Sequence, residues 1–445
     1  MVLSRSRFPL LGLVGITALV AVGMNACSPP TETPSGGGFG GSGTSTGAQD
    51  GGAGGATTTG TSGSGGNIIT TTTGDGDGGV CEITDEDADQ DKDGFSPKQG
   101  DCNDCDPNVN PGAVDALEEA DGGPGVVTDN DCSGKAELPK PCDDALALDS
   151  ADAMDGAKAI GGLCAKWVKS AKWVQADGAP PPADAAQLTA FHLGHGILPD
   201  FGASNAPLEG KRVLALSSGT ARRPTDPGFV HRNFDKGYVG GPPFGFPKES
   251  PACQGVKTKE PHDAAGLELE IQAPTNAQGF SFDFNFFTYE WPQYICTEFN
   301  DFFVANMSPF PAGQKDGNIS FDALGNPISV NNAFLDICGC PGSPPGACSV
   351  PPDKPLKAFD CAFGTKGLAG TDFANDDSNP GFTNGSSGWL ETSAPVEKGQ
   401  KFVLRFVTYD SSDGNVDSTT IIDNFKWSAE PGKLITVRDA GPPPK

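Results

Sequence analysis

The strongest chemical pattern in the chain is Asp87-Ala-Asp89-Gln-Asp91-Lys-Asp93-Gly94-Phe95, where carboxylates recur at every second position and a glycine follows. Hard oxygen donors at that spacing build a cage for Ca²⁺. Asp89, Asp91 and Asp93 fit positions 1, 3 and 5 of an EF-hand-type loop. Gly94 takes the sharp turn at position 6, and the Phe95 carbonyl takes position 7. The frame starting at Asp87 is poorer, because Lys92 would stand at the glycine position. Position 12, where such a loop needs a bidentate Glu, is Gly100, with Asp101 one residue later. No helical periodicity flanks the loop, so a helix–loop–helix is not expected. Oxygen ligands without His favour Ca²⁺ over transition metals.

The run continues as Asp101-Cys-Asn-Asp104-Cys-Asp106-Pro, then Pro111-Gly-Ala-Val-Asp115, and later Asp129-Asn-Asp131-Cys132-Ser-Gly. The whole stretch resembles the metal-binding repeats of bacterial surface and secreted proteins. That resemblance implies ligation by Asp89, Asp91, Asp93, Asp101, Asp104, Asp106 and Asp131, and it pairs Cys102 with Cys132. The chain departs from the repeat in three places: Cys105 is extra, Asp115 replaces Glu and Ser133 replaces Asp. A bland reading competes, in which a block of like charge is simply solvated. Regular spacing, a glycine at the turn and interleaved cysteines argue against it. Residues 80–140 hold few apolar side chains, so their order must come from metal ions, disulfides or both.

A second polar group is Asp410, Asp413, Asn415, Asp417 and Asp423. Its oxygens are either a second Ca²⁺ site at a sheet edge or a hairpin loop in which Asp413-Gly414-Asn415 makes the turn. Catalytic constellations are sparse. The four histidines are 192, 195, 231 and 262, and none belongs to a His-Glu-x-x-His motif. His192 and His195 sit three apart in Gly-rich sequence that reads as loop. Ser217-Ser218-Gly219 lacks the Gly-x-Ser-x-Gly elbow and ends a strand. An enzyme is therefore not expected. If the chain were a glycan hydrolase, Glu290 beside Trp291 would be the carboxyl to test, with Trp291, Tyr294 and Trp389 as sugar-stacking faces.

The elements around these residues follow from composition. The 445 residues carry 57 Asp and Glu against 30 Lys and Arg, a formal net charge of −27. A polyanion does not neutralise phosphates, so nucleic acid is excluded as a partner. Arg5 and Arg7 precede an apolar run from Leu10 to Val22, too short to span a bilayer and right for a signal peptide. Met24-Asn-Ala-Cys27 resembles a bacterial lipobox, with Met where Leu is usual. The resemblance implies cleavage before Cys27 and its lipidation, so that the membrane partner is reached through acyl chains. Ser28 in place of Asp favours the outer membrane. The alternative is ordinary secretion with Cys27 as a free thiol. Beyond Cys27, 12 of the 13 cysteines remain, an even number that reads as a disulfide framework in an oxidising compartment. Cys102-x-x-Cys105 and Cys338-x-Cys340 leave redox or zinc pairs as the alternative.

Organisation along the chain is a signal peptide (1–26), a lipidated Cys and a Gly/Thr/Ser-rich tether (27–79), the acidic module (80–140), a large domain (141–435) and a frayed tail (436–445). Asp155 to Cys164 reads as a short helix. After it the period is two. Leu267 to Ile271, Phe280 to Phe286 and Phe402 to Val407 alternate, and Arg212 to Ser217 and Asp301 to Asn306 also read as strands. Half-buried strands between Gly/Pro loops predict a mainly β fold, an antiparallel β-sandwich with a short helix and a loop-rich module before it. His195 to Gly202, Arg212 to Arg222, Phe280 to Trp291 and Thr408 to Trp427 together resemble the choice-of-anchor L domain of bacterial cell-surface proteins. That resemblance implies a lectin-like jelly roll with no established activity. The combined expectation is a lipid-anchored surface protein whose sandwich recognises a glycan or another surface protein.

Overall fold

The computed structural model describes residues 81–438, apart from 82, 84, 119–125, 165, 333, 341–360 and 379. All of them fall within one unit, Ile68–Lys445. The expected signal peptide, the tether with Cys27, and residues 439–445 of the tail lie outside the described residues.

Residues 81–140 contain a 3-10 turn at Pro97–Gln99 and one hairpin, β1 (Ala116–Glu118) against β2 (Val126–Thr128). No α-helix flanks the Asp-rich loop among the described residues. Disulfides Cys81–Cys105 and Cys102–Cys132 brace the module. The second is the pair that the repeat resemblance implied. Cys105 bonds to Cys81, so the Cys102-x-x-Cys105 alternative does not form. The Pro-Gly-Ala segment seats the module on the large domain. The Gly112 carbonyl accepts from the Thr275 amide at 3.0 Å, and the Asn276 side chain bonds both the Val114 amide (3.0 Å) and its carbonyl (2.8 Å). A Cβ at Gly112 would lie 2.9 Å from Thr275 Cγ2 and 3.0 Å from the Phe95 ring, so only glycine permits this approach. Breaking Cys102–Cys132, which closes a 30-residue separation, should cost about 3–4 kcal/mol. Cys102→Ser with Cys132→Ser should therefore lower the melting temperature, and limited proteolysis should cut first within residues 81–140.

The large domain begins with α1 (Ala153–Ala159), β3 (Val168–Val174), α2 (Ala185–Leu193), β4 (His195–Leu198) and β5 (Val213–Ser217). Next come β6 (Pro261–Gln272), β7 (Gly279–Thr288), β8 (Phe302–Ser308), β9 (Ile328–Ser329) and β10 (Gly385–Ser386). The chain closes with β11 (Leu390–Pro395), β12 (Lys401–Ser411), β13 (Ser418–Ser428) and β14 (Ile435–Arg438). Two antiparallel sheets result, with orders β14-β11-β7-β13-β5-β4 (β10 also on β7) and β3-β6-β12-β8-β9. The fold is the expected β-sandwich.

Three expectations need correction. The helix predicted at 155–164 runs Ala153–Ala159: Asp152 caps it through the Met154 amide at 2.9 Å, and Gly161-Gly162 ends it. Residues 436–438 are not tail. They belong to β14, which pairs with β11, and Arg438 is held by Asp336 at 2.8 Å. The sequence around His192 and His195 is not loop, because His192 lies in the last turn of α2 and His195 begins β4.

The period-2 pattern in β7 explains the core. Phe280, Phe282, Phe284 and Phe286 share one face, and all are buried. Phe282 meets Phe406 of β12 at 4.9 Å between ring centroids, and Phe284 meets Phe303 of β8 at 4.6 Å. Loops cover the outer faces as well. Phe287, Ile421 and Phe373 pack outside the first sheet, while Phe246, Val304 and Tyr409 pack outside the second. Further disulfides join Cys142–Cys164, Cys253–Cys296 and Cys338–Cys361, and Cys340 is also disulfide-bonded. No helix among the described residues is long and apolar enough to cross a membrane.

Candidate metal centre

The Asp-rich loop folds on its own carboxylates. Asp89 accepts from the amides of Lys92 (2.6 Å), Asp93 (3.2 Å) and Gly94 (3.0 Å). Asp91 accepts from Asp93, and Asp93 from Phe95. Gly94 turns the chain at φ +100°, a left-handed conformation that disfavours other residues. Where position 12 offers no carboxylate, the next loop brings two. Asp101 and Asp104 enter the same space, each with one oxygen fixed by a backbone amide, Asn103 at 2.8 Å and Gln90 at 2.9 Å.

The other oxygens are left over. Oδ2 of Asp91, Asp93, Asp101 and Asp104 is buried without a hydrogen-bond partner. Oxygens of Asp91, Asp93 and Asp101 lie within 4.8 Å of one another, as do those of Asp89, Asp91 and Asp104. That span equals two Ca²⁺–oxygen bonds of about 2.4 Å placed across one ion. Burial, then the charge of Asp93, pushes the Asp91 carboxyl up to about 6. Burial does the same for Asp101, with Asp93 and Asp104 adding to it. Four buried carboxylate oxygens without hydrogen-bond partners fit the donor set of a divalent cation.

The remaining predicted ligands lie elsewhere. Asp106 caps Asn108 through both its backbone amide (3.0 Å) and its side chain (2.9 Å), outside the cage. Asp131 belongs to a second acidic group with Asp115 and Asp129. There the carboxylates are engaged: Asp115 accepts from the amides of Asn130, Asp131 and Glu137, and Asp131 pairs with Lys166 at 3.1 Å. Asp115 and Asp129 stand in the motif, but the repeat resemblance implies ligation there only by Asp131. Their pairing with Asp131 depends on the β1–β2 hairpin, which the sequence did not reveal. Phe95 presents its amide to Asp93 at 2.8 Å, consistent with the tight turn.

The second predicted group is divided. Asp410 closes β12 and is buried, and Asp417 precedes β13 and is buried. Asp413 and Asn415 lie on the loop that crosses from one sheet to the other, bonded to each other at 3.2 Å. Asp423 turns away, accepting from the amides of Leu208 and Glu209. None of the converging acidic groups among the described residues includes these five. Instead, Asp410 and Asp417 meet side chains from distant sequence. Glu290, after β7, accepts from the Asp301 amide at 2.8 Å, and Asp301 accepts from the Ser418 hydroxyl at 2.7 Å. Lys236 is buried and donates to the carbonyls of Ser217 (2.8 Å) and Asp263 (2.7 Å). Burial pushes Lys236 down to about 8 against the pull of Asp263, Asp417 and Asp410. Burial likewise holds Glu290, Asp301 and Asp410 well above the usual carboxylate range.

Among the described residues, the histidines form no nucleophilic arrangement. His192 Nδ1 and His195 Nε2 are 3.1 Å apart, and His195 is stacked on Trp173 at 3.9 Å. His231 is clasped by Asp372 (2.5 Å) and Asp377 (2.7 Å), so carboxylates take both ring nitrogens. Glu290 and Trp291 are each 1% exposed, so neither lines an open sugar groove. Tyr294 and Trp389 are half-buried.

The chain matches no curated protein and no solved structure. The family model of the choice-of-anchor L domain matches residues 201–426, just over half of the 445 residues, from the loop after β4 to the bulge in β13. On that match the chain belongs to the choice-of-anchor L family, a membership that points to a cell-surface protein.

Proposed function

We propose that this chain is a lipid-anchored surface protein whose acidic module is locked by Ca²⁺ and whose sandwich displays a non-catalytic recognition surface. The orphaned, buried oxygens of Asp91, Asp93, Asp101 and Asp104 carry the calcium reading. Those four residues, with Asp89, would hold the ion, whose positive charge offsets their mutual repulsion and rigidifies a segment that has little core of its own. Lipidation of Cys27 supplies the membrane partner, at the outer membrane. Family membership supports the surface location. The partner is a glycan or a surface protein. The hydrolase reading loses its support with Glu290, which is buried and spends an oxygen on a backbone amide.

A glycan array and a chromogenic glycosidase panel on the full chain test this reading. Binding without turnover is the expected result. Turnover abolished by Glu290→Gln would replace it with the hydrolase. Mass spectrometry of the membrane fraction should find Cys27 acylated.

A further inference from the structure

At the end of the sandwich where the chain crosses from β12 to β13, five carboxyls are buried together: Asp263, Glu290, Asp301, Asp410 and Asp417, each 3% exposed or less. They arrive from β6, from the segments after β7 and before β8, from β12, and from the segment before β13. One ammonium, Lys236, is buried with them and acts on Asp263, Asp410 and Asp417. One step beyond the Tyr409–Phe302 pair of β12 and β8, the antiparallel register sets Asp410 beside Asp301, and the two carboxyls interact. Asp410 is 1% exposed, and neither of its oxygens meets a donor in full hydrogen-bond geometry, although Asp301 and the Ser218 hydroxyl lie within reach. The Ser218 hydroxyl beside it is turned to the Ser418 carbonyl at 3.3 Å. Oδ1 of Asp417 and Oδ1 of Asn300, next to Asp301, are likewise buried and unpartnered. Buried carboxyls in this number stay protonated unless cations join them, and Lys236 alone does not suffice to ionise all five.

We propose that the apposed carboxyls of Asp301 and Asp410 hold a second divalent cation, of the Ca²⁺ class, that clamps the two sheets at this end. The lining atoms are carboxylates and serine hydroxyls, a hard oxygen environment without sulfur. The site differs from the loop site that the sequence suggested, because Asp301 replaces Asp413, Asn415 and Asp423. It does not depend on the acidic module or on the recognition reading.

Metal analysis of the full chain after gel filtration tests it. Asp91→Ala with Asp93→Ala should remove the calcium of the acidic module and leave about one ion per chain. Adding Asp301→Asn with Asp410→Asn should remove that ion. Tyr409 neighbours Asp301, which permits a readout that spares the ligands. In the module variant, terbium emission excited through tyrosine should fall several-fold on Tyr409→Phe. A module variant that binds no calcium and gives no terbium emission overturns the proposal while leaving the Asp91 cage intact. If the Asp301 and Asp410 changes alone remove calcium while the Asp91 and Asp93 changes remove none, the cage reading fails and this one stands.

Discussion

Adding Ca²⁺ to the chelated full chain should raise its melting temperature by roughly 5 °C. At one hundred times the dissociation constant, a ligand that binds only the folded state contributes about 2.7 kcal/mol. In a domain this large each kcal/mol moves the midpoint by only about 2 °C. Asp91→Ala with Asp93→Ala should abolish the part of the response that belongs to the acidic module, since both residues present orphaned oxygens to the cage. Asp104→Asn should weaken it, because a fully buried carboxylate loses its charge while its oxygen can still accept from Gln90. The affinity should also fall between pH 7 and pH 5. Asp91 and Asp101 titrate near 6 without the ion, and each must lose its proton to bind. A calorimetric signal from the double variant equal to that of the parent chain would remove the cage. So would a chelated module that resists protease as well as the loaded one.

The second large effect is on pH dependence in chelator. Asp417 is raised to about 8 and Asp423 to about 7 by burial, while Glu290, Asp301 and Asp410 are raised well above their ordinary values. Unfolded carboxyls titrate near 4. A carboxyl raised in the folded state contributes stability that is complete below its unfolded pKa and is lost as pH climbs through the folded one. The loss should therefore run from about pH 4 to pH 8. His231, raised by Asp372 and Asp377 against the burial that lowers it, acts in the same direction from about 6.5 upward. Asp131, Asp155 and Asp226 are lowered, and their contribution disappears only under acid conditions below this window. Asp417→Asn keeps an oxygen for the Phe234 amide at 3.0 Å but removes one titrating group. It should raise the melting temperature at pH 8 by several degrees and leave pH 5 unchanged. Saturating Ca²⁺ should flatten the profile of the parent chain, because the ion neutralises the carboxylates that otherwise take up protons. A profile that rises between pH 5 and pH 8 in chelator would contradict the burial of these groups.

What was legible in the sequence was local. Alternating Asp with Gly94 specifies a tight loop through bonds spanning only three to five residues, as Asp89 shows with Lys92 and Gly94. Alternating Phe in β7 specifies a strand with one buried face, because side chains in a strand point to opposite sides in turn. An even cysteine count beyond Cys27 reads as a bridged framework, and five bridges join described residues. Periodicity gave no sign of α2, whose start is set by the Asp184 cap, or of β14, which exists because β11 offers a free edge.

Only the tertiary structure decided which acids meet. Asp106 lies in the motif and misses the cage, while Asp101 and Asp104 reach it from the neighbouring loop. Asp301 stands 109 residues before Asp410 in the chain, yet the ends of β8 and β12 bring them together. Spacing along a chain controls contacts within a turn. Contacts between strands depend on sheet order and register, which are set by the burial of the phenylalanine faces and not by the acids themselves.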